Sequence, residues 1–246
     1  MQTIYTGSSI SSTEVKNIVV ADVVLTIAFA LVFSGGLGNL FGAGGSLPGF
    51  IALIPIAFVA VSLSFVLHEL MHKVVAQRYG AAAAFRASKD GLLITIVSGA
   101  IGFLIGIPGA TVIFASNFSK RQEALVSLAG PLTNFAVFLG FLSVSIIWHG
   151  YLSHHAYLTT LVGTTLFISV WIAFFNMLPV YPLDGSKVLR WNKFIYIGVL
   201  AVIFLFFYVT AVLYFQIYSP VGLILNLVVV LVLALIMSSI ATGIRI

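Results

Sequence analysis

Uncharged apolar stretches long enough to cross a lipid bilayer recur along this chain of 246 residues. One of them, GFIALIPIAFVAVSLS at 49–64, approaches the roughly 20 residues that a helix needs to span the hydrocarbon core. Charged residues make up only 7% of the sequence, whereas a soluble domain carries about 25%. So little charge cannot cover a surface that faces water. Because the alternating segments of a membrane barrel are also lacking, the sequence predicts an all-α polytopic membrane protein.

The predicted organisation is a polar N-terminal tail at 1–16 followed by a single transmembrane domain at 17–246. Ser11 and Glu14 have the spacing of a helix-starting box before the first apolar run. About six transmembrane helices are expected, at 17–36, 50–75, 124–148, 156–178, 194–217 and 221–241.

A seventh apolar segment, 91–115, is rich in glycine and contains Pro108, which weaken a helix. If this segment enters the membrane and returns on the same side, all 11 Lys and Arg residues lie on one face. A full span would instead move Lys120, Arg121 and the basic residues of 187–193 to the opposite face. The positive-inside rule makes the basic face cytoplasmic. We therefore expect a re-entrant or β-like membrane-associated segment with both termini cytoplasmic, and a distorted full span is the alternative.

The sequence HELMH at 68–72 places two histidines and a glutamate at the end of the second predicted span. Ionisable residues inside a membrane are rare and usually functional. Because His68 and His72 are four residues apart, they share one face of a helix and can bind the same metal ion. Glu69 is then placed to act as general base for a water activated by the metal. Zinc suits two imidazoles and a carboxylate, so we predict one Zn²⁺ ion; a coincidental polar helix end and a proton-relay pair are the alternatives.

The third ligand must come from the remaining acids. Glu14 in the polar tail and Asp90 in a basic loop are simplest as solvated surface charges. Glu123 opens a predicted helix, where an acid is favoured by the positive end of the helix dipole. Asp22 lies inside the first span and is expected either to pair with Lys16 or to contact a polar cavity.

Asp184 differs from these acids because it lies in NMLPVYPLDG at 176–185. Pro179 and Pro182 prevent a helix from continuing through this segment. We therefore predict a fixed, non-helical turn that presents the Asp184 carboxylate on the same side of the membrane as His72. Asn176, at the start of the segment, follows apolar sequence and needs a hydrogen-bond partner.

A third polar feature, GPLTN at 130–134, lies inside the predicted helix 124–148. Gly130 and Pro131 interrupt an otherwise good helical sequence, and Asn134 follows one turn later. One interpretation is a kink of the kind that membrane helices tolerate. The other is a broken helix that lines a polar cavity, with Asn134 pointing into it.

These three elements, in this order, resemble the motifs of the site-2 protease family of intramembrane zinc metalloproteases. The resemblance covers about 50–190, which would be the catalytic core, and it suggests a compact member without a PDZ or CBS domain. Members of that family cleave membrane-spanning segments of other proteins. They also place a sheet-like segment between the first two motifs, in agreement with the re-entrant interpretation of 91–115.

The resemblance implies a role for each motif residue. His68, His72 and Asp184 would bind zinc, and Glu69 would be the catalytic base. The positions expected to bind substrate or support the site are Asn134, Asn176, Gly130 and Pro131.

The expected function is hydrolysis of peptide bonds in or near transmembrane segments, in a multi-pass protein of a prokaryotic cell membrane with its active site toward the cytoplasm. The expected partners are a membrane-protein substrate and the lipid bilayer, and no nucleic acid, because the net charge of +5 is a topology signal. The main alternative is a zinc or other divalent metal transporter, which would need ligands along a path to both faces. The opposite face offers only His149, His154 and His155. Two further alternatives are an HExxH membrane protease for soluble or lipidated substrates and a non-catalytic relative.

Overall fold

The computed structural model describes residues 10–114 and 117–215. It contains five helical segments long and apolar enough to cross a membrane, which supports a polytopic helical membrane protein. They are α1 (Ser12–Phe33), the continuous segment Leu47–Arg78, α6 (Lys120–Ile147), α8 (Ala156–Asn176) and α10 (Lys193–Phe215). The predicted sixth span, 221–241, lies outside the described residues.

The first helix begins earlier than the sequence suggested. Ser11 is its N-cap and accepts a hydrogen bond from the backbone N–H of Glu14 at 3.2 Å. Residues 12–16, which we assigned to a polar tail, are therefore the first turns of α1. The predicted helix-starting role of Ser11 is confirmed, but the Glu14 side chain turns inward instead of back to the cap.

The second membrane-length segment is not a uniform helix. It consists of α3 (Leu47–Val61), a five-residue π-helical stretch (Ser62–Val66) and α4 (Leu67–Arg78). π-bulges inside α-helices occur often at functional sites. Within this stretch the hydroxyl of Ser64 forms a 2.7 Å hydrogen bond with that of Ser169 on α8. The HELMH helix α4 is thereby tied to the bundle just before His68.

The described part of segment 91–115, residues 91–114, folds back toward the place where it starts. Helix α5 (Lys89–Ala100) has 12 residues and is therefore about 18 Å long, too short for a hydrocarbon core of roughly 30 Å. The chain then returns as β2 (Gly109–Phe114), which pairs antiparallel with β1 (Ala82–Ala87). The N–H of Ser88 donates to the carbonyl of Pro108 at 2.9 Å. The start of α5 therefore lies beside the start of β2, and β2 runs back along β1, as a re-entrant or β-like segment requires.

The two strands have a register that decides where their backbone groups point. Phe85 is paired with Thr111, and the Phe85 N–H donates to the Glu14 carboxylate at 3.1 Å, away from β2. The hydrogen-bonded pairs of an antiparallel ladder alternate with non-hydrogen-bonded ones. The bond between Ser88 and Pro108, three pairs further along, fits this alternation. The backbone groups of Gly109, Thr111 and Ile113 therefore face away from β1.

Two apolar clusters hold the bundle together, and both include α8. One joins α8 to α6 and α10 through buried side chains such as Leu166 and Phe207. The other joins α8 to α1 and α3 through Phe29, Val61 and Ile168. Large side chains on the outside, such as those at the end of α6, are exposed, as expected of a surface that lipid covers. The remaining elements are α2 (Gly36–Leu40), α7 (His149–Leu152) and α9 (Asp184–Trp191).

Candidate metal centre

Three buried side chains from two distant segments meet at the first two turns of α4. His68 and His72 lie on one face of α4, and Asp184 is the first residue of α9. The Asp184 Oδ2 atom is 3.5 Å from His68 Nε2 and 3.1 Å from His72 Nε2. One donor atom from each of the three residues lies within 4.8 Å of the others. The structure thus brings together the three residues that the sequence pattern and the resemblance predicted as ligands, in a group that could bind a metal ion.

The second nitrogen of each imidazole is held by the protein. His72 Nδ1 lies 2.7 Å from the Val126 carbonyl oxygen, which can only accept, so Nδ1 carries the proton. His68 Nδ1 lies 3.0 Å from Asn134 Oδ1. The amide nitrogen of Asn134 in turn donates to the Ser169 carbonyl at 3.2 Å, which orients its oxygen toward His68. Both Nε2 atoms are therefore the ones presented to a metal ion, as in most histidine metal sites.

Helix α6 approaches this centre so closely that only glycine fits at position 130. A Cβ atom at Gly130 would lie 2.5 Å from the Nε2 atoms of both His68 and His72. The space in front of the two donor nitrogens is thus a cradle that a side chain would fill. Together with the two-nitrogen, one-carboxylate donor set, this cradle fits a zinc ion.

A second close approach places the carboxylate. A Cβ atom at Gly185 would lie 2.2 Å from the Met177 carbonyl oxygen, so glycine lets α9 begin directly against the preceding turn. That turn is non-helical and contains Pro179 and Pro182, as the sequence predicted. Asp184 is thereby fixed at the position where it meets the histidines.

The charges around Asp184 favour its ionised form. Its second oxygen, Oδ1, is 3.5 Å from Lys187 Nζ. Burial alone would raise the pKa of the Asp184 carboxyl, but His72, His68 and Lys187 together hold that pKa below its usual value. An ionised carboxylate is the form that binds a metal ion.

Glu69, the expected base, is buried beside the donor set, and a hydrogen bond from the sheet holds its side chain in place. The hydroxyl of Thr111 on β2 lies 2.8 Å from Glu69 Oε2 and 3.1 Å from the Glu69 carbonyl oxygen. Sequence reasoning missed Thr111, because only the pairing of β1 with β2 brings it to α4. The one signal was a hydroxyl residue in the β-prone stretch GATVIF at 109–114.

A cavity opens in front of the donor set. Its walls come from α1, α4, β2, the start of α6, the end of α8 and α9. The polar and charged residues that line it are His68, Glu69, His72, Thr111, Ser127, Asn176, Asp184 and Lys187. Gly109 and Ile113 also line it, so the cavity runs along β2.

The two asparagines have different positions. Asn134 is fully buried behind His68 and is not among the residues that line the cavity, so it does not point into the cavity as one interpretation expected. Asn176 lines the cavity, and its amide nitrogen donates to the Ile172 carbonyl at 2.9 Å.

The interpretation of GPLTN as a helix break is wrong. Helix α6 runs without interruption from Lys120 to Ile147, with Pro131 inside it. Because proline has no N–H, the carbonyl four residues earlier, on Ser127, lacks its helical donor. Ser127 lines the cavity, so this carbonyl belongs to a residue at the site, and the helix beside the site is unbroken.

Two acids differ from their predicted roles. Glu14, expected to be solvated, is 2% exposed and paired with Lys73 at 2.6 Å. Among the described residues, Asp22 forms no ion pair with Lys16 and is not one of those that line the cavity. Its Oδ2 atom accepts a hydrogen bond from Ser62 at 2.7 Å. Glu123 lies in the first turn of α6, where the sequence placed it.

The histidines of the other predicted face lie far from this centre. His149 follows the end of α6, about 28 Å along the helix axis from Gly130. The ring of His155 stacks on Tyr151, with 4.0 Å between centroids. Within 10–114 and 117–215, His68, His72 and Asp184 form the one group of such side chains close enough to share a metal ion. A transport path with ligands at both ends therefore has no support in the described part of the chain.

The fold and the site together define a helical membrane protein with a metal-binding HExxH helix, the arrangement of a metal-dependent peptidase. Sequence comparison agrees with this class. The chain is 39% identical over 161 residues to "Putative zinc metalloprotease MJ0611" of Methanocaldococcus jannaschii, covering 61% of this chain and 78% of that protein. It is 30% identical over 161 residues to "Putative zinc metalloprotease YwhC" of Bacillus subtilis, covering 57% of this chain and 70% of that protein.

A further relative is "Zinc metalloprotease MJ0392" of Methanocaldococcus jannaschii, at 27% identity over 135 residues, or 55% of this chain and 33% of that protein. No protein-family model and no solved structure matches the chain. The identity with MJ0611 and the share of that protein that is covered show that the chain belongs to this family of zinc metalloproteases.

Proposed function

We propose that this protein is an intramembrane zinc metalloprotease of the site-2 protease type, which hydrolyses peptide bonds in or near transmembrane segments of other membrane proteins. The observation that carries the proposal is the buried His68, His72 and Asp184 donor set with Glu69 beside it, at the end of membrane-length apolar helices. The zinc metalloprotease relatives support the chemistry, and the lipid-facing exterior supports a substrate that arrives through the membrane.

The roles of the residues follow from their positions. His68, His72 and Asp184 hold the ion, while Asn134 and the Val126 carbonyl keep the two imidazoles in the correct tautomer and orientation. When bound, zinc supplies a Lewis acid that polarises the scissile carbonyl and activates a water molecule. Glu69 takes a proton from the attacking water and delivers it to the nitrogen of the leaving amine.

The substrate must be extended where it is cut, because helical hydrogen bonds shield its carbonyl groups. The edge of β2 that faces away from β1 offers a place for such a strand. Gly109, Thr111 and Ile113 direct their backbone groups to that edge and also line the cavity. Strand addition of this kind uses main-chain hydrogen bonds for affinity. We infer that a substrate strand lies between β2 and the donor set, where Asn176 can contact it.

We place the active site toward the cytoplasm of a prokaryotic cell. Lys73 and Lys187 lie in α4 and α9, which carry the donor set, and Arg86 lies in β1, which packs against α4. The positive-inside rule assigns such a basic end to the cytoplasm. Hydrolysis consumes water, which the lipid does not supply, so water would enter the site from the cytoplasmic side.

The test is cleavage of a panel of membrane-spanning peptides by the purified protein in proteoliposomes. Wild type should cleave a member of the panel in a zinc-dependent manner. Glu69→Gln should retain fold and zinc but lose cleavage, because the amide cannot accept the proton. If purified Glu69→Gln still cleaves the peptide, Glu69 is not the catalytic base. Zinc uptake by the same proteoliposomes, with no cleavage, would favour transport instead.

The strand-edge part of the proposal has its own test. In an extended strand every second residue directs its backbone groups to the same edge. N-methylation at successive positions of a cleaved peptide should therefore weaken binding at alternate positions only. Uniform sensitivity, or none, would contradict pairing with β2.

A further inference from the structure

The hydroxyl of Thr111 makes two contacts with a single proton. Its Oγ1 atom is 2.8 Å from Glu69 Oε2 and 3.1 Å from the Glu69 carbonyl oxygen. A threonine hydroxyl has one hydrogen to donate, and a hydrogen bond to an ionised acceptor is the stronger of the two kinds. The shorter distance assigns the proton to the Oε2 atom of the carboxylate, and the carbonyl oxygen is a second acceptor within reach.

The strand places this hydroxyl by register. Thr111 is opposite Phe85, and the Phe85 ring packs edge-to-face on Phe65, with 5.5 Å between centroids. Paired residues of a sheet project their side chains from the same face, so Phe85 and Thr111 both project toward the helical segment that carries HELMH. A shift of one residue would direct Val112 to Glu69 instead.

The same residue also faces the proposed substrate position. The backbone groups of Thr111 point to the edge of β2 that is away from β1, while its side chain contacts Glu69. Thr111 thus contacts the base through its side chain and would contact a bound strand through its main chain.

We propose that Thr111 is a positioning residue for the base. Its hydroxyl holds the Oε2 atom of Glu69 by a hydrogen bond, which leaves Oε1 to abstract the proton. The orientation of the Glu69 side chain therefore depends on the position of β2. This inference rests on the proposed function. Both residues lie within the described range 10–114. Thr111 acts through Glu69 and does not contact the reacting atoms.

The central experiment compares Thr111→Val, which keeps the branched shape and removes the hydroxyl, with Thr111→Ser, which keeps the hydroxyl. Thr111→Val should lower kcat by roughly 10- to 100-fold, the equivalent of a hydrogen bond to a charged group. Its KM and zinc stoichiometry should match wild type. Thr111→Ser should restore kcat to within about threefold of wild type. Val112→Thr, the reverse exchange on the opposite face of the strand, is the matched control and should leave kcat unchanged.

A second measurement does not depend on turnover. The carboxylate stretching band of Glu69 can be assigned in infrared spectra as the band that Glu69→Gln removes. This band should shift in Thr111→Val and stay in place in Thr111→Ser and Val112→Thr. Should Thr111→Val fail to fold, Thr111→Ala takes its place in both measurements.

The outcomes separate the two proposals. A wild-type kcat and an unshifted band in Thr111→Val would overturn the positioning role, and so would an equal loss in Thr111→Val and Thr111→Ser. A wild-type protein that cleaves no membrane peptide would instead refute the proposed function, and the infrared band would still decide the contact between Thr111 and Glu69.

Discussion

Lys73, the residue after His72, forms a buried ion pair with Glu14 across 2.6 Å. The other oxygen of Glu14 accepts the N–H of Phe85 at 3.1 Å. One carboxylate therefore connects the first turn of α1 with α4 and β1. This connection lies directly beside the turn of α4 that carries His72.

Removal of one partner of this pair should destabilise the protein strongly. Lys73→Met leaves the Glu14 carboxylate buried without its cation, at a cost of about 3–5 kcal/mol in the free energy of unfolding. Adding Glu14→Gln, which keeps an acceptor for Phe85, should recover most of that loss. Denaturant titration in detergent measures both variants. Arg190→Met, which breaks an exposed pair with Glu123 at 3.6 Å, is the control and should cost about 1 kcal/mol or less. An equal loss in the free energy of unfolding in Lys73→Met and Arg190→Met would contradict the claim that burial makes the Lys73–Glu14 pair costly to break.

Gly130→Ala should abolish zinc binding. The added methyl group would lie 2.5 Å from both donor nitrogens, so α6 and α4 would have to separate or the imidazoles would have to turn away. Metal analysis of the purified protein gives the zinc stoichiometry. Gly140→Ala is the control on the same helix, since a Cβ there meets no atom within 4 Å. Full zinc occupancy in Gly130→Ala would show that the helices adjust easily.

Asn134→Ala should weaken zinc binding by about 10- to 100-fold, because it removes the partner of His68 Nδ1. Competition with a chromophoric chelator measures the zinc affinity. A raised KM at unchanged zinc affinity would instead favour a direct role of Asn134 in substrate binding.

Asn176→Ala should have the opposite profile. Asn176 lines the cavity and makes no contact with a ligand imidazole among the hydrogen bonds found in the described residues. We therefore expect a raised KM, with zinc affinity as in wild type. Loss of zinc from Asn176→Ala would show that it supports the metal centre.

Removal of zinc should lower the melting temperature. His72 and Asp184 are far apart in the sequence, so an ion that binds both favours the folded state over the unfolded one. Zinc at 100 times its Kd would add about 2.7 kcal/mol. Chelation should reduce Tm and zinc should restore it, whereas His72→Ala should show no zinc-dependent shift. A Tm that zinc raises equally in His72→Ala would place the stabilising ion elsewhere.

The parts of the site that the sequence predicted are those that local rules determine. His68, Glu69 and His72 lie within two turns of one helix, where the period of 3.6 residues fixes which side chains share a face. Asp184 could be singled out because prolines and a glycine constrain the turn around it. The five apolar spans of the described residues followed from composition and length alone, although the start of α1 at Ser12 did not.

The parts that the sequence missed depend on contacts between distant segments. The burial of Glu14 requires Lys73 and Phe85, and nothing in the polar sequence around it indicates that either is near. Thr111 reaches Glu69 only through the register of two strands. Pro131 was a misleading signal, because a membrane helix can continue past a proline when its surroundings satisfy the freed carbonyl.

The two-stranded sheet has a further consequence for turnover. A pair of strands alone is marginally stable. Glu14 occupies the outer edge of β1 at Phe85, so a third strand can join the sheet at the edge of β2. A substrate strand there would complete a three-stranded sheet of which it supplies one third. Hydrolysis in the middle of a strand bound as proposed would divide its main-chain hydrogen bonds between two fragments, each paired more weakly than the intact strand. Product release would then follow from the cut itself, without a separate opening motion.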